Sequence, residues 1–91
     1  MASARVAIVT GAAQGIGKAI ALRLAADGLD VVVNDIPAKA TELNALVGEI
    51  TSHKQRSLAV VGDMSQEHDV EALINITVEK LGGVDVVRDQ G

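Results

Sequence analysis

Residues 6–17 read VAIVTGAAQGIG, and this stretch decides the fold. Its first four residues are apolar and mostly β-branched, which predicts a short buried strand. Glycines follow at positions 11, 15 and 17, where a helical pattern begins. Glycine permits backbone conformations that a side chain hinders, and a helix N-terminus offers unpaired N–H groups and a partial positive charge to an anion. The stretch therefore predicts a strand, a turn that binds phosphate, and a helix.

The spacing of these glycines, G-x-x-x-G-x-G, differs from the G-x-G-x-x-G of the general dinucleotide fingerprint. The alternative interpretation is a tight strand-to-helix turn that binds no ligand. The apolar run before the turn and the helical pattern after it favour the phosphate-binding interpretation.

The rest of the chain repeats the same alternation of apolar runs and helical patterns. In the first helix, Ile16, Ile20 and Leu24 lie four residues apart on one face, and Gly28 follows as a C-cap. Pro37 suits the first turn of the second helix, and Ser65 suits the N-cap of the third. Strands are predicted at residues 5–10, 30–34, 58–61 and 84–87, and helices at residues 15–27, from 37 to about 50 and 65–81.

Continuously apolar strands that alternate with amphipathic helices predict a parallel sheet covered on both faces. Right-handed crossovers then give the strand order 3-2-1-4, with the first two helices on one face and the third on the other. We therefore predict an α/β fold of the order β-α-β-α-β-α-β, a partial Rossmann fold with a doubly wound parallel sheet. Residues 1–91 would form a single, incomplete domain. Ligands of such sheets bind beyond the carboxyl ends of the strands, at the point where the strand order reverses.

The composition narrows the possible functions. The 91 residues carry a net charge of −4 and include no cysteine, phenylalanine, tyrosine or tryptophan. The acidic balance argues against nucleic acid, and no apolar run approaches a membrane span or a signal peptide. The absence of cysteine excludes disulfides and thiolate metal sites and suits the cytoplasm. The absence of aromatic residues is unusual for a complete enzyme and removes every tyrosine as a catalytic acid or base.

Four motifs along the chain carry a resemblance to a known family. They are T-G-x-x-x-G-I-G at residues 10–17, N-D at 34–35, G-D-M-S at 62–65 and L-G-G-V-D-V-V at 81–87. With these motifs at these spacings, residues 5–87 resemble the N-terminal third of a short-chain dehydrogenase/reductase. The nearest likeness is to NAD(P)-dependent reductases of small ketones, diketones and acyl substrates, which are enzymes of the carbonyl reductase or alcohol dehydrogenase type.

The resemblance implies a cofactor site and no metal site. The residues implied to cradle the pyrophosphate of the dinucleotide are Gly11, Gln14, Gly15, Ile16 and Gly17. Asp35 would accept hydrogen bonds from the adenosine ribose, while Asp63 and the backbone of Met64 would meet the adenine.

The spacing of Asp35 supports its role, because it follows Gly11 by 24 residues, near the usual interval of about 20. A carboxylate there prefers free hydroxyls and repels a 2′-phosphate, so we expect NAD in preference to NADP. The alternative for Asp35 is a cap for the helix at Pro37. The alternative for Asp63 is a turn or cap residue, together with Ser65.

The pattern departs from the family after the fourth strand. The family continues with an Asn-Asn-Ala-Gly or Ala-Asn-Ala-Gly turn, whereas residues 88–91 read RDQG, one residue short of that register. The asparagine, serine, tyrosine and lysine of the family's active site have no counterpart, so we predict no catalytic residues and no turnover by this chain alone.

Three interpretations of this departure stay open: a truncated or misassembled reductase, a non-catalytic module that binds a nucleotide or a partner subunit, and an enzyme completed by a second chain. A sheet that stops at strand 4 would leave Val84, Val86 and Val87 on an open edge and strands 1 and 4 partly uncovered. We therefore also expect self-association.

Overall fold

The computed structural model describes residues 5–89, which form one parallel sheet between two layers of helices. The strands are β1 (Val6–Val9), β2 (Asp30–Asp35), β3 (Ser57–Val61) and β4 (Val86–Arg88). The helices are α1 (Gly15–Ala26), α2 (Ala40–Thr51) and α3 (Glu67–Leu81), and a short 3-10 helix, Pro37–Lys39, precedes α2. All strand pairs are parallel and the sheet order is β3-β2-β1-β4, so the predicted fold class and strand order are confirmed.

Alternate side chains of β1 and β2 enter the two apolar layers. Val9, Val31 and Val33 pack with α1 and α2, whereas Ile8 and Val32 pack with α3. The predicted assignment of the helices to faces is therefore confirmed. The expectation that β1 would be partly uncovered is wrong, because all four of its residues are buried. In β4, by contrast, Val87 is 54% exposed.

The face that α1 turns to the sheet is lined by small residues, namely Gly17, Ala21 and Ala25. The larger apolar residues that the sequence places four apart on one face, Ile16, Ile20 and Leu24, are less buried than these small residues. Ile16 is 71% exposed. Small side chains allow the helix backbone to approach the strands closely. This packing holds the N-terminus of α1 against the end of β1.

The ends of several elements differ from the prediction for identifiable reasons. Ser65 does not cap α3: the N-cap is Gln66, and the Ser65 hydroxyl instead donates to Asp63. Pro37 opens the 3-10 helix rather than α2 itself. The C-cap of α1 is Asp27, and Gly28 follows it with a φ of +96°, a conformation that favours glycine.

At the amino ends of the strands, a buried carboxylate ties β2 to β3. The Asp30 side chain is only 4% exposed, and its Oδ2 lies 2.8 Å from Nη2 of Arg56. The Arg56 Nε donates to the same oxygen at 2.8 Å, and the Arg56 backbone N–H donates to Oδ1 at 2.9 Å. A charge can be buried at low cost only when it is paired and hydrogen-bonded in this way. The contact therefore fixes the start of β3 beside the start of β2.

Candidate ligand-binding cleft

A cleft of about 410 Å³ opens at the carboxyl ends of the strands. It is lined by Thr10, Gly11, Asn34, Asp35, Ile36, Gly62, Asp63, Met64, Ser65 and Asp89. Four residues predicted from the sequence meet there: Gly11, Asp35, Asp63 and Met64. The other four, residues 14–17, do not line the cleft and instead form the end of the glycine turn and the first turn of α1.

The glycine turn depends on its glycines for two different reasons. Gly11 and Gly15 both have a φ of +63°, in the left-handed region that side chains disfavour. Gly17 is needed for space, because a Cβ there would lie 2.1 Å from the carbonyl oxygen of Gly11. The first turn of α1 therefore packs directly against the backbone of Gly11, which lines the cleft.

The N-terminus of α1 keeps its anion-binding capacity in this arrangement. Its N-cap residue, Gln14, makes no side-chain capping hydrogen bond. The Lys18 N–H donates to the Gln14 carbonyl at 3.4 Å, and this is the first hydrogen bond of the helix. The backbone N–H groups of residues 15–17 precede it, so they have no acceptor within the helix. These groups and the helix dipole can receive a phosphate at this position.

The carboxylate of Asp35 holds the glycine turn to the end of β2. Its Oδ2 accepts from the Ala13 N–H at 3.1 Å, and its Oδ1 accepts from the Ile36 N–H at 2.8 Å. The alternative role as a helix cap does not match the structure, because Ile36 is the N-cap of the 3-10 helix. Asp35 therefore orders the turn and forms part of the cleft wall.

Asp63 forms a turn at the end of β3 and also lines the cleft. Its Oδ1 accepts from the Ser65 hydroxyl at 2.7 Å and from the Ser65 N–H at 2.9 Å. Both hydrogen bonds favour the charged form of the Asp63 carboxyl and therefore hold its pKa below the ordinary value. The bond from the Ser65 hydroxyl has the larger effect and the bond from the Ser65 N–H the smaller. The hydrogen bonds of Asp63 in this structure are therefore those of a turn residue. Its carboxylate, which lines the cleft, is ionised at neutral pH.

Six of the cleft residues were not predicted as site residues, and Thr10, Asn34 and Asp89 are three of them. The buried Asn34 donates from its side-chain amide to the Val60 carbonyl at 2.9 Å. The backbone carbonyl of Asn34 accepts from the Ala12 N–H at 3.0 Å. The Thr10 hydroxyl donates to Asp89 Oδ1 at 2.8 Å. Both Thr10 and Asn34 directly precede a predicted site residue, and this adjacency is the signal that could have indicated them.

Asp89 stands at the place where the sequence departs from the family's turn, and it adds a third carboxylate to the cleft beside Asp35 and Asp63. The last two residues of that departure, Gln90 and Gly91, lie outside the described residues. Within residues 5–89, no three His, Asp or Glu side chains are grouped so as to hold a metal ion. None of the helices in that part of the chain is long and apolar enough to cross a bilayer.

The short chain dehydrogenase family model matches residues 5–89. The chain belongs to this family. Among curated members, it is 54% identical over 89 residues to the short-chain dehydrogenase/reductase eriH of Hericium erinaceus, covering 96% of this chain and 35% of the relative. It is 42% identical over 85 residues to the 3-oxoacyl-[acyl-carrier-protein] reductase of a Synechocystis species, covering 93% of this chain and 34% of that enzyme.

Two solved structures are closely similar to this fold over the matched residues. Hydroxysteroid dehydrogenase from Escherichia coli superposes with a TM-score of 0.86 at 39% identity, over 93% of this chain and 35% of that one. A blue fluorescent protein from a metagenomic library, solved in complex with NADPH, gives a TM-score of 0.87 at 36% identity, over 91% and 34%. The chain thus spans about a third of the length of the relatives that it matches.

Proposed function

We propose that this chain is the N-terminal dinucleotide-binding part of an NAD(P)-dependent short-chain oxidoreductase of the carbonyl reductase or alcohol dehydrogenase type. One observation carries the proposal: Gly17 packs on Gly11 so closely that no side chain fits between them, and this contact sets a helix N-terminus at the mouth of the cleft. The family membership and the NADPH bound to a structural neighbour support it.

In this proposal each part of the cleft receives one part of the cofactor. The glycine turn, residues 11–17, holds the pyrophosphate with backbone N–H groups. Asp35 accepts hydrogen bonds from the adenosine ribose, and Asp63 and Met64 border the adenine. When bound, the nicotinamide supplies hydride transfer, and a small carbonyl or alcohol compound is the substrate class. The absence of cysteine fits a reducing compartment, so the proposed location is the cytoplasm.

The proposed preference for NAD is tested with two substitutions at Asp35. We expect the parent chain to bind ADP-ribose more tightly than 2′-phospho-ADP-ribose. Asp35→Arg should reverse this order by about tenfold, because attraction replaces repulsion at the 2′ position. Asp35→Asn keeps an oxygen acceptor for Ala13 but removes the charge, so it should reduce the preference without reversing it.

Titration calorimetry with both ligands measures these affinities, and circular dichroism verifies that each variant is folded. Equal affinity for the two ligands in the parent and in both variants would contradict the assignment of Asp35.

The second candidate is a subunit-interaction module, and the exposed apolar residues beside β4 favour it. Ile16, Ile20 and Leu24 border a cavity of about 540 Å³ next to Arg88. Val87 pairs with Ile8 and so lies on the opposite face of the sheet, where it is 54% exposed. Edge strands and contiguous apolar surface are typical of association sites.

For this candidate we expect the purified 91-residue chain to self-associate. Size-exclusion chromatography with light scattering should give a mass above that of the monomer, rising with protein concentration. A monomer at all concentrations, with a cooperative thermal transition, would contradict self-association and leave the nucleotide-binding proposal in place.

A further inference from the structure

The cavity between α1 and β4 is a groove with apolar side chains along its middle and charges at its ends. Ile16, Ile20 and Leu24 of α1 line it, together with Arg88 of β4 and Asp27 after the end of α1. Ile16 is 71% exposed, and Ile20 and Leu24 are half-buried. This surface, the α1–β4 groove, therefore presents a contiguous apolar stripe of the kind that marks association sites.

The two charges lie at opposite ends of the groove. Arg88 pairs with Val9 at the carboxyl end of the sheet, so its side chain is on the face that α1 covers. The helix begins at that end, and its 12 residues span about 18 Å, so its C-cap Asp27 lies at the amino end. Asp27 pairs with Arg23 at 3.3 Å, but their side chains are 52% and 79% exposed. Such a pair contributes little and leaves the Asp27 carboxylate accessible to a second cation.

A second copy of the chain fits this groove when its α1 runs antiparallel to the first. With a twofold axis at Ile20, Ile16 of each copy meets Leu24 of the other, because these residues are evenly spaced along one face of the helix. The same placement brings Asp27 of each copy to the end of the groove where Arg88 of the other lies. A twofold interface forms every such contact twice, so the stripe and the charges are both self-complementary.

We propose that this chain forms a twofold homodimer through the α1–β4 groove, with antiparallel α1 helices and with Asp27 of each copy paired with Arg88 of the other. The inference rests on the second candidate function, self-association, and adds to it the surface, the symmetry and the ion pair. Antiparallel helices also place the carboxylate of Asp27 near the positive end of the other α1, which favours the same arrangement.

The apolar part of the interface is tested with Ala19→Arg. Ala19 is exposed and lines the groove, so the substitution leaves the core intact but places a charge between the two apolar stripes. We expect the dissociation constant of the dimer to rise at least about tenfold, because a charge is costly to bury without a partner. Ala72→Arg is the matched control, since Ala72 is an exposed alanine of α3 on the other face of the sheet. It should change the constant less than about twofold.

The ion pair is tested with two charge reversals. Asp27→Arg and Arg88→Asp each replace attraction with repulsion at both symmetric contacts, so each should weaken the dimer about tenfold. An equimolar mixture of the two variants should restore a dimer, because every contact between them joins an arginine to an aspartate. Mixing Asp27→Arg with Lys80→Asp controls for net charge and should restore nothing, since Lys80 lies on α3.

Sedimentation velocity over a range of protein concentrations measures the dissociation constants, and circular dichroism verifies that each variant is folded. If the parent chain is a monomer throughout, self-association and this inference fail together. If the dimer persists in Ala19→Arg, or if the mixture of reversals stays as weak as each variant alone, self-association stands but the copies meet through another surface, and the inference is wrong. Titration of ADP-ribose tests the nucleotide site separately from each of these results.

Discussion

Replacing Gly17 with alanine is expected to lower the free energy of unfolding by about 3 kcal/mol and to abolish nucleotide binding. The added Cβ would lie 2.1 Å from the carbonyl oxygen of Gly11, 2.8 Å from its carbonyl carbon and 3.1 Å from the Cα of Ala12. All three are backbone atoms, so no side-chain rotation relieves the overlap. Either α1 moves away from the sheet or the turn opens, and both changes displace the N–H groups that would hold a phosphate.

The matched control is the same substitution at Gly48, an exposed position in α2. A Cβ there meets no atom within 4 Å. Alanine is preferred to glycine inside a helix, so Gly48→Ala should raise the free energy of unfolding by about 0.5–1 kcal/mol. Urea denaturation followed by circular dichroism measures both variants, and calorimetry with ADP-ribose measures binding. A Gly17→Ala chain as stable as Gly48→Ala would contradict the close approach of α1.

Replacing Arg56 with methionine is expected to cost about 2 kcal/mol of stability, because the Asp30 side chain is 4% exposed although that of Arg56 is 56% exposed. The substitution keeps an unbranched apolar stem but removes the guanidinium group beside Asp30. The Asp30 carboxylate is 4% exposed, so it would remain buried with fewer hydrogen bonds and no opposite charge. A buried charge without its partner is among the most destabilising changes in a folded protein.

Arg23→Met is the matched control for this prediction. Arg23 of α1 pairs at 3.3 Å with Asp27, the C-cap of that helix, but their side chains are 79% and 52% exposed. Surface pairs of this kind contribute little, so the loss should stay below about 0.5 kcal/mol. Urea denaturation of the two variants gives the comparison directly. Similar losses at both positions would show that burial of Asp30 does not decide the effect.

Much of the fold follows from local patterns in the sequence. The apolar runs that become β1, β2 and β3 are each followed by a helical pattern, and the preference for right-handed crossovers then determines the sheet order. The places of Asp35 and Asp63 in the cleft follow in the same way, because each comes at the end of a predicted strand. These predictions need only the order of elements.

What the sequence did not predict depends on distances between segments far apart in the chain. The packing face of α1 is one example, because periodicity favours Ile16 and Ile20, whereas close approach selects Gly17. The bond from Asp35 to Ala13 is another, since it needs the register between β1 and β2. Ser65 suits an N-cap, but the turn at Asp63 takes its hydroxyl.

The ion pair of Asp30 and Arg56 lies at the opposite end of the sheet from the cleft. This separation affects which substitutions such a protein can accept during evolution. Substitutions at widely separated sites tend to act independently on stability. A lineage can therefore alter Asp35 at the cleft while the ion pair at the other end of the sheet preserves the fold. Gly17 has no such freedom, because every replacement adds at least a Cβ. Evolutionary change in this cleft should therefore concentrate on its rim and leave the base of its turn unchanged.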